Sequence, residues 1–294
     1  MSKNPEISVV IPTYNRSELL QRAINSIVSQ TFQDWELIVV DDCSSDNTID
    51  IVKAYTVRDE RIHYLKLESN SGANAARNLG SGQARAKILS FLDSDDEMHP
   101  LNLQRQFEKF VSAPDLALCY TGVDYYSENT LVTEVHPKVR GALEIFLFTN
   151  LKGLGSSTSG FSIRKEVFKK IGGFDEFMVS QQDLDLLVRV ARFYTIDFIV
   201  DCNTKMYLNS DNRISDNRLS VIQGEVQFMQ KHEQRTRELG LYHHVARKLA
   251  RKYALYAKDL RNAYSTLFKA IRYRPTYFYA YIYALKLPVL YFKQ

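Results

Sequence analysis

The sequence lacks the features that mark several large classes of protein. Its three cysteines, Cys43, Cys119 and Cys202, show no CxxC or CxxH spacing. That argues against a disulfide framework or a zinc site and fits a reducing compartment. No apolar run reaches the ~20 residues a spanning helix needs. The most apolar stretch, Thr276–Phe292, is interrupted by Lys286 and Pro288. The opening MSKNPEISVVIP has no long apolar core and no small-residue cleavage site, so no signal peptide is expected. Repeats and low-complexity tracts are absent. The 45% hydrophobic and 24% charged shares exclude disorder, collagen and a polytopic membrane protein.

What is present fits one large domain, or one domain plus an appendage, in 294 residues. A chain of this length buries about 75% of its unfolded surface and needs no metal merely to fold. The formal charge of +4 is uneven. Lys231–Gln294 holds 14 Lys and Arg against 3 acids, a local +11, so the first 230 residues carry −7. An acidic body with a basic tail points to an anionic surface as the tail's partner, membrane or nucleic acid.

The first hundred residues alternate strand and helix signals. Ile7–Pro12, Glu36–Val40, Ile62–Leu67 and Ile88–Leu92 read as buried strands; Ser17–Gln30, Asp46–Tyr55 and Ala73–Gly80 read as helices. Apolar strands about every 25 residues with helices between imply βαβ units and a parallel sheet covered on both faces. Beyond residue 100, helices are expected at His99–Val111, Lys138–Phe148, Arg164–Ile171 and Gln182–Phe193, and strands at Leu116–Tyr120 and Gly160–Ile163. From about Asp216 the pattern is helical, broken by Pro275. The boundary is set near residue 215, giving a domain of 1–215 and a helical region of 216–294.

In an open parallel sheet, ligands bind at the carboxyl ends of the strands. The segments there are Pro12-Thr13-Tyr14-Asn15-Arg16, Asp41-Asp42-Cys43-Ser44-Ser45-Asp46, Glu68-Ser69-Asn70-Ser71-Gly72 and Asp93-Ser94-Asp95-Asp96. All are polar, and two are acidic enough to repel themselves without a cation or hydrogen-bond donors. Asp93-Ser94-Asp95-Asp96 is either a solvated acidic turn or a divalent-cation site. The strand before it and the acids of the neighbouring loop favour the cation. Its hard oxygen donors suit Mn²⁺ or Mg²⁺ bridging to phosphates.

PTYNR, VVDDCSSD, SGANAARNLG and FLDSDD, in this order, followed by GGFDE (Gly172–Glu176) and QQDLDLLVR (Gln181–Arg189), resemble the family 2 glycosyltransferases of the GT-A fold over about residues 5–215. The resemblance implies an α/β fold with a mostly parallel central sheet flanked by helices, here with a helical C-terminal extension. It implies that Pro12, Thr13, Tyr14 and Arg16 line a nucleotide pocket, with Tyr14 near the base. Asp42 would accept from a pyrimidine N–H, favouring UDP donors, and Asp41 would support that loop. Arg77 and Asn78 would face the cleft, Arg77 meeting the diphosphate or holding the acidic loops. Asp93, with Ser94, would reach the ribose and Asp95 would ligate the metal. Asp96 is a supporting partner or an exposed acid.

The implied reaction moves a sugar from a nucleotide-sugar to a hydroxyl of a glycan or lipid-linked acceptor, with inversion. That hydroxyl attacks poorly unless a base takes its proton. Asp183, opening an amphipathic helix, is the candidate base, its other reading being a plain helix cap. Gln182 stands where the family often has an acid. Asn209 stands near where many relatives have a His, which leaves the metal more dependent on Asp95. No QxxRW is present and Trp35 is the one tryptophan, so a soluble, one-sugar-per-encounter enzyme is implied.

In the tail, Arg272-Tyr273-Arg274 leads into Tyr277, Phe278, Tyr279, Tyr281, Tyr283, Tyr291 and Phe292. Tyr prefers a boundary between apolar and wet surroundings. The tail is expected either to bind the cytoplasmic face of a membrane or to pack as a helical bundle. Nucleic-acid binding is disfavoured by the acidic strand ends and the absence of a recognition module. A nucleotidyltransferase would need a Gly-rich phosphate loop, which PTYNR is not. A catalytically dead nucleotide-sugar sensor remains as the other reading of the same pocket.

Overall fold

The computed structural model describes residues 4–138, 143–149, 158–208 and 217–292. In chain order the elements are β1 (Ile7–Thr13), α1 (Ser17–Val28), β2 (Trp35–Asp41), α2 (Thr48–Thr56), β3 (Ile62–Lys66), α3 (Ala73–Gln83), β4 (Ile88–Phe91), β5 (Glu97–Met98), α4 (Asn102–Ser112), β6 (Leu116–Ser127), β7 (Thr130–Val135) and α5 (Leu143–Thr149). There follow β8 (Phe161–Arg164), α6 (Lys165–Lys170), α7 (Gln182–Ala191), β9 (Thr195–Tyr207), α8 (Arg218–Lys231), α9 (Glu233–Glu238), α10 (Tyr242–Lys252), α11 (Leu260–Tyr273) and α12 (Phe278–Phe292). The chain divides into two compact units. The first comprises residues 1–143, 152–176 and 186–210; the second comprises 144–151, 177–185 and 211–294. Among the described residues no helix is long and apolar enough to cross a membrane.

The first unit is built on a mixed sheet, ordered β3-β2-β1-β4-β8-β6-β9-β5, with β7 on β6. β3, β2, β1 and β4 run parallel. Every residue of β1, β2 and β4 is buried, as continuous apolar strands covered on both faces must be. α1 lays Leu20, Ala23, Ile24 and Ile27 on the core, alongside Val9, Ile11, Leu37 and Val39. α3 approaches so closely that a Cβ on Gly80 would lie 2.6 Å from Val10 Cγ1 and 2.9 Å from Val40 Cγ2, so only glycine fits there. From β4 onward the sheet turns antiparallel, β8 pairing with both β4 and β6, before β9 returns parallel to β6.

Four strands differ from the sequence pattern. β5 occupies Glu97–Met98 and α4 starts at Asn102, because Pro100 pushes His99 out of helical conformation. β6 runs on to Ser127 and folds back as β7, which is exposed along most of its length and so has no buried alternation to read. β9 mixes Asp197, Asp201, Asn203 and Lys205 among apolar residues; its strand character comes from pairing with β6.

In the second unit, Asn217 caps α8 by accepting from the Leu219 and Ser220 N–H groups. α10 with the turn that follows it (Tyr253–Ala257), α11 and α12 meet at Ala250, Ala254, Ala263, Leu267, Ala280 and Leu287, mostly small residues that let helices approach. α12 runs through Pro288. The missing N–H leaves the Ala284 carbonyl without its intrahelical donor, and the Tyr264 hydroxyl donates to it at 3.1 Å. Gly224 of α8 packs directly on Ser180: a Cβ there would overlap Ser180 Oγ and lie 2.7 Å from its carbonyl oxygen. Gly224→Ala is therefore expected to cost about 1–3 kcal/mol despite alanine's better helix propensity. Thermal unfolding measures this, and an unchanged or raised Tm would contradict the packing.

Candidate active site

In the order β3-β2-β1-β4, successive connections leave β1 in opposite directions, so a crevice opens at the carboxyl ends of β1 and β4. The ends of β1 and β2 are fastened together. Asp42 N–H donates to the Thr13 carbonyl at 2.8 Å. Asn15, at φ +49°, donates its N–H to Ser44 Oγ at 2.9 Å and accepts from Ser45 N–H at 2.8 Å. Pro12 and Thr13 are buried, Tyr14 stands 45% exposed, and Arg16 is half-buried. Thr13 Oγ1 is buried with no hydrogen-bond partner among the described residues.

Both acids after β2 are engaged by the protein. Asp42 accepts from Ser71 N–H at 2.7 Å and Gly72 N–H at 2.8 Å, tying β2 to the segment that opens α3. Each oxygen keeps a further lone pair for a ligand. Asp41, fully buried, accepts from Ser44 N–H at 2.8 Å and from the Tyr64 hydroxyl at 2.7 Å. Burial, with Asp41 beside it, pushes the Tyr64 phenol well up, so it stays a donor.

The acidic turn after β4 is held by three arginines: Arg77 of α3, Arg16 of the loop after β1, and Arg22 of α1. Arg77 of α3, 3% exposed, donates to Asp93 Oδ1 at 2.6 Å and to Asn74 Oδ1 at 3.1 Å. Its Nε is buried and finds no partner among the described residues. Arg16 meets Asp95 Oδ2 at 3.1 Å. Arg22 donates to the Asp95 carbonyl at 2.6 Å, and its guanidinium lies 3.6 Å over the Tyr207 ring. Ser159 Oγ accepts from Asp93 N–H at 3.0 Å and donates to Asp96 Oδ2 at 2.5 Å. Ser94, Asp95 and Asp96 are all buried. Donors and cations of the chain thus answer the self-repulsion of the acidic loops.

Asn78, one residue beyond Arg77, commits its amide to the GGFDE segment. It donates to the Phe174 carbonyl and to Glu176 Oε1, both at 2.8 Å, and accepts from Phe174 N–H at 2.9 Å. Gly173 sits at φ +70°, and a Cβ on it would fall 2.6 Å from Asn78 Oδ1. Phe174 packs edge-on to Phe91 of β4, and Asn74 donates to the Asp175 carbonyl at 3.0 Å. This segment therefore fixes α3, and with it Arg77, against the sheet.

Gln182 and Asp183 open α7 in the second unit. Asp183 Oδ1 accepts from Leu184 N–H at 2.8 Å, while Gln182 Oε1 is buried with no partner among the described residues. Asp185, fully buried, accepts from His232 Nε2 at 2.9 Å and lies 3.0 Å from Lys231 Nζ, which anchors the first turn of α7 to α8. Asn209 lies outside the described residues. Arg22 has no signal of its own in the sequence, sitting unmarked between apolar positions of α1; Ser156–Ser159 within GLGSSTSG reads as a mobile lid, a donor-sugar contact or a passive loop, and Ser159 instead braces the acidic turn.

Among the described residues no three or more His, Cys, Asp or Glu are grouped to hold an ion. The donor set after β4 is nevertheless all carboxylate oxygen. It fits a Mg²⁺- or Mn²⁺-like ion that takes one or two carboxylates and completes its shell with phosphates and water.

Residues 8–172 match the family model described as glycosyl transferase family 2. TuaG of Bacillus subtilis (strain 168), named as a teichuronic acid biosynthesis glycosyltransferase, is 39% identical over 125 residues, which is 42% of this chain and 49% of that protein. The match thus spans about half of that relative's length. The S. aureus TarS 1-349 structure in complex with UDP-GlcNAc is similar with TM-score 0.63 at 18% identity, covering 96% of this chain and 89% of that one. The mannosyltransferase PcManGT from Pyrobaculum calidifontis, in complex with GDP-Man and Mn²⁺, is similar with TM-score 0.64 at 15% identity, covering 99% and 82%.

Proposed function

Because the chain belongs to glycosyl transferase family 2 and carries its GT-A fold, we propose that it transfers a sugar from a UDP-linked donor to a hydroxyl of a glycan or lipid-linked acceptor, with inversion, one sugar per encounter. The observation that carries this reading is the strand-end crevice, where Asp93 and Asp95 are each held by an arginine from outside the turn and each carboxylate oxygen of Asp42 keeps a lone pair for a ligand.

In this reading Pro12, Thr13, Tyr14 and Arg16 line the base and ribose side, and Asp42 accepts from the pyrimidine. Asp93 and Ser94 face the ribose, with Asp41, Asn78 and Asp96 holding the walls. Arg77 contributes positive charge toward the phosphates. Asp95 would hold Mn²⁺ or Mg²⁺, sharing its carboxylate with Arg16. When bound, such an ion supplies Lewis-acid stabilisation of the departing diphosphate. Asp183 takes the proton from the acceptor hydroxyl, its ionised form favoured at a helix N-terminus. Attack from the face opposite the leaving group inverts the anomeric carbon. The partner of the basic, Tyr-rich tail is an anionic membrane surface at the cytoplasmic face, where a lipid-linked acceptor would be met.

A thermal-shift panel of UDP-, GDP- and dTDP-sugars with and without Mn²⁺ tests this. At ~100 times its dissociation constant the preferred donor adds about 2.7 kcal/mol of stability. The largest shift is expected from a UDP-sugar with Mn²⁺, and no response to any nucleotide would overturn the reading.

A further inference from the structure

α12 is apolar on two opposite faces. One face, with Ala280, Tyr283, Ala284, Leu287 and Leu290, packs into the second unit's helical core. The other carries Phe278, Ile282, Leu285, Val289 and Phe292, spaced alternately by four and three residues. They are 75%, 38%, 82%, 68% and 78% exposed. A helix apolar on opposite faces normally buries both. Among the described residues nothing covers this outer stripe, and a contiguous exposed apolar patch marks an interaction surface.

The surrounding charge identifies the cover. Arg261, Tyr264, Phe268 and Arg272 follow one another along the exposed side of α11, which touches α12 through the Tyr264–Ala284 hydrogen bond. Lys269, Arg274 and Lys286 are also exposed. No acid follows Asp259 in the sequence. A second copy of this surface would bring like charges together. An anionic surface with an apolar interior meets both halves of the pattern. Tyr279 and Tyr281, 65% and 44% exposed, are suited to the boundary between them. The helix end is prepared for such a setting: Lys258, in a left-handed conformation, donates to the Tyr291 carbonyl at 2.6 Å.

We propose that α12 lies in the interface of an anionic lipid bilayer, its Phe278–Phe292 stripe inserted and the cations of α11 and α12 on the headgroup phosphates. This rests on the membrane partner proposed above and names the element that makes the contact. Co-sedimentation of the full chain with vesicles of phosphatidylcholine, alone or mixed with phosphatidylglycerol, tests it. The chain is expected to sediment with the mixed vesicles only, with binding falling as salt is raised. Leu285→Glu with Val289→Glu should lower partitioning at least ~10-fold. Arg272→Gln and Lys286→Gln should each lower it about fivefold at low salt, the equivalent of about 1 kcal/mol per cation.

All four positions are exposed, so far-UV circular dichroism and the UDP-sugar thermal shift should not change. Absent binding to anionic vesicles, or a double variant that binds like wild type, overturns the inference. A wild-type dimer in light scattering that the double variant dissociates also overturns it, assigning the stripe to self-association. If vesicle binding fails while the UDP-sugar shift persists, this inference falls alone; if the shift fails too, the donor reading falls with it.

Discussion

Asp183→Asn should lower sugar transfer by 10²–10⁴-fold, the range expected when a positioned general base is removed, while leaving nucleotide binding and folding nearly intact. The substitution is close to isosteric. An amide oxygen still accepts from Leu184 N–H, which the carboxylate holds at 2.8 Å in the first turn of α7. What disappears is the capacity to take a proton. Steady-state release of UDP with and without acceptor measures the loss, and the UDP-sugar thermal shift serves as the control. Asp185→Asn should behave in the opposite way. Asp185 is fully buried and its partners include His232 and Lys231, so removing its charge weakens a buried polar cluster and lowers Tm. Turnover per folded molecule should fall far less than in Asp183→Asn. If Asp183→Asn retains turnover within a few-fold of wild type, Asp183 serves only the first turn of α7 and the base lies elsewhere.

The parallel half of the sheet was legible because its strands are unbroken apolar runs, which only a two-sided core accommodates. The acidic turns were legible because they follow those runs directly. The antiparallel half was not. β9 carries Asp197, Asp201, Asn203 and Lys205, and its polar residues are satisfied by residues distant in sequence: Lys109 reaches Asp197 at 2.5 Å and Arg105 reaches Asn203 Oδ1 at 2.6 Å. No local pattern announces a partner about ninety residues away. The same limit applies at the site. The acids after β4 are visible in FLDSDD, but Arg22 and Ser159, which hold them, come from α1 and from the turn before β8. Asn78 shows the converse: its place beside Arg77 suggested the crevice, while the left-handed Gly173 turn, which needs a donor and an acceptor at one point, claims its amide. In the tail, membrane binding and bundle packing were alternatives only while α12 was treated as having one face; its inner face packs and its outer face is exposed.

Asp95→Asn should remove the manganese-dependent part of the UDP-sugar thermal shift and lower turnover at least ~100-fold, the scale of a lost Lewis acid. The prediction separates two roles that one carboxylate holds. As a structural group, Asp95 pairs with Arg16 at 3.1 Å and fixes Arg22 through its carbonyl. The carbonyl survives substitution, and Arg16, about a fifth exposed, can turn to water. The folding cost should therefore stay near ~1 kcal/mol. As an ion ligand, an amide oxygen is neutral and a poor replacement for a carboxylate on a hard cation. Asp96→Asn provides the contrast, because its partners include the Ser159 hydroxyl, which can donate to an amide oxygen as well. If the acidic turn is only a braced loop, the two variants will differ in Tm but share wild type's response to Mn²⁺. If Asp95 holds the ion, the manganese response vanishes in Asp95→Asn and persists in Asp96→Asn, with the metal-free nucleotide shift retained in both.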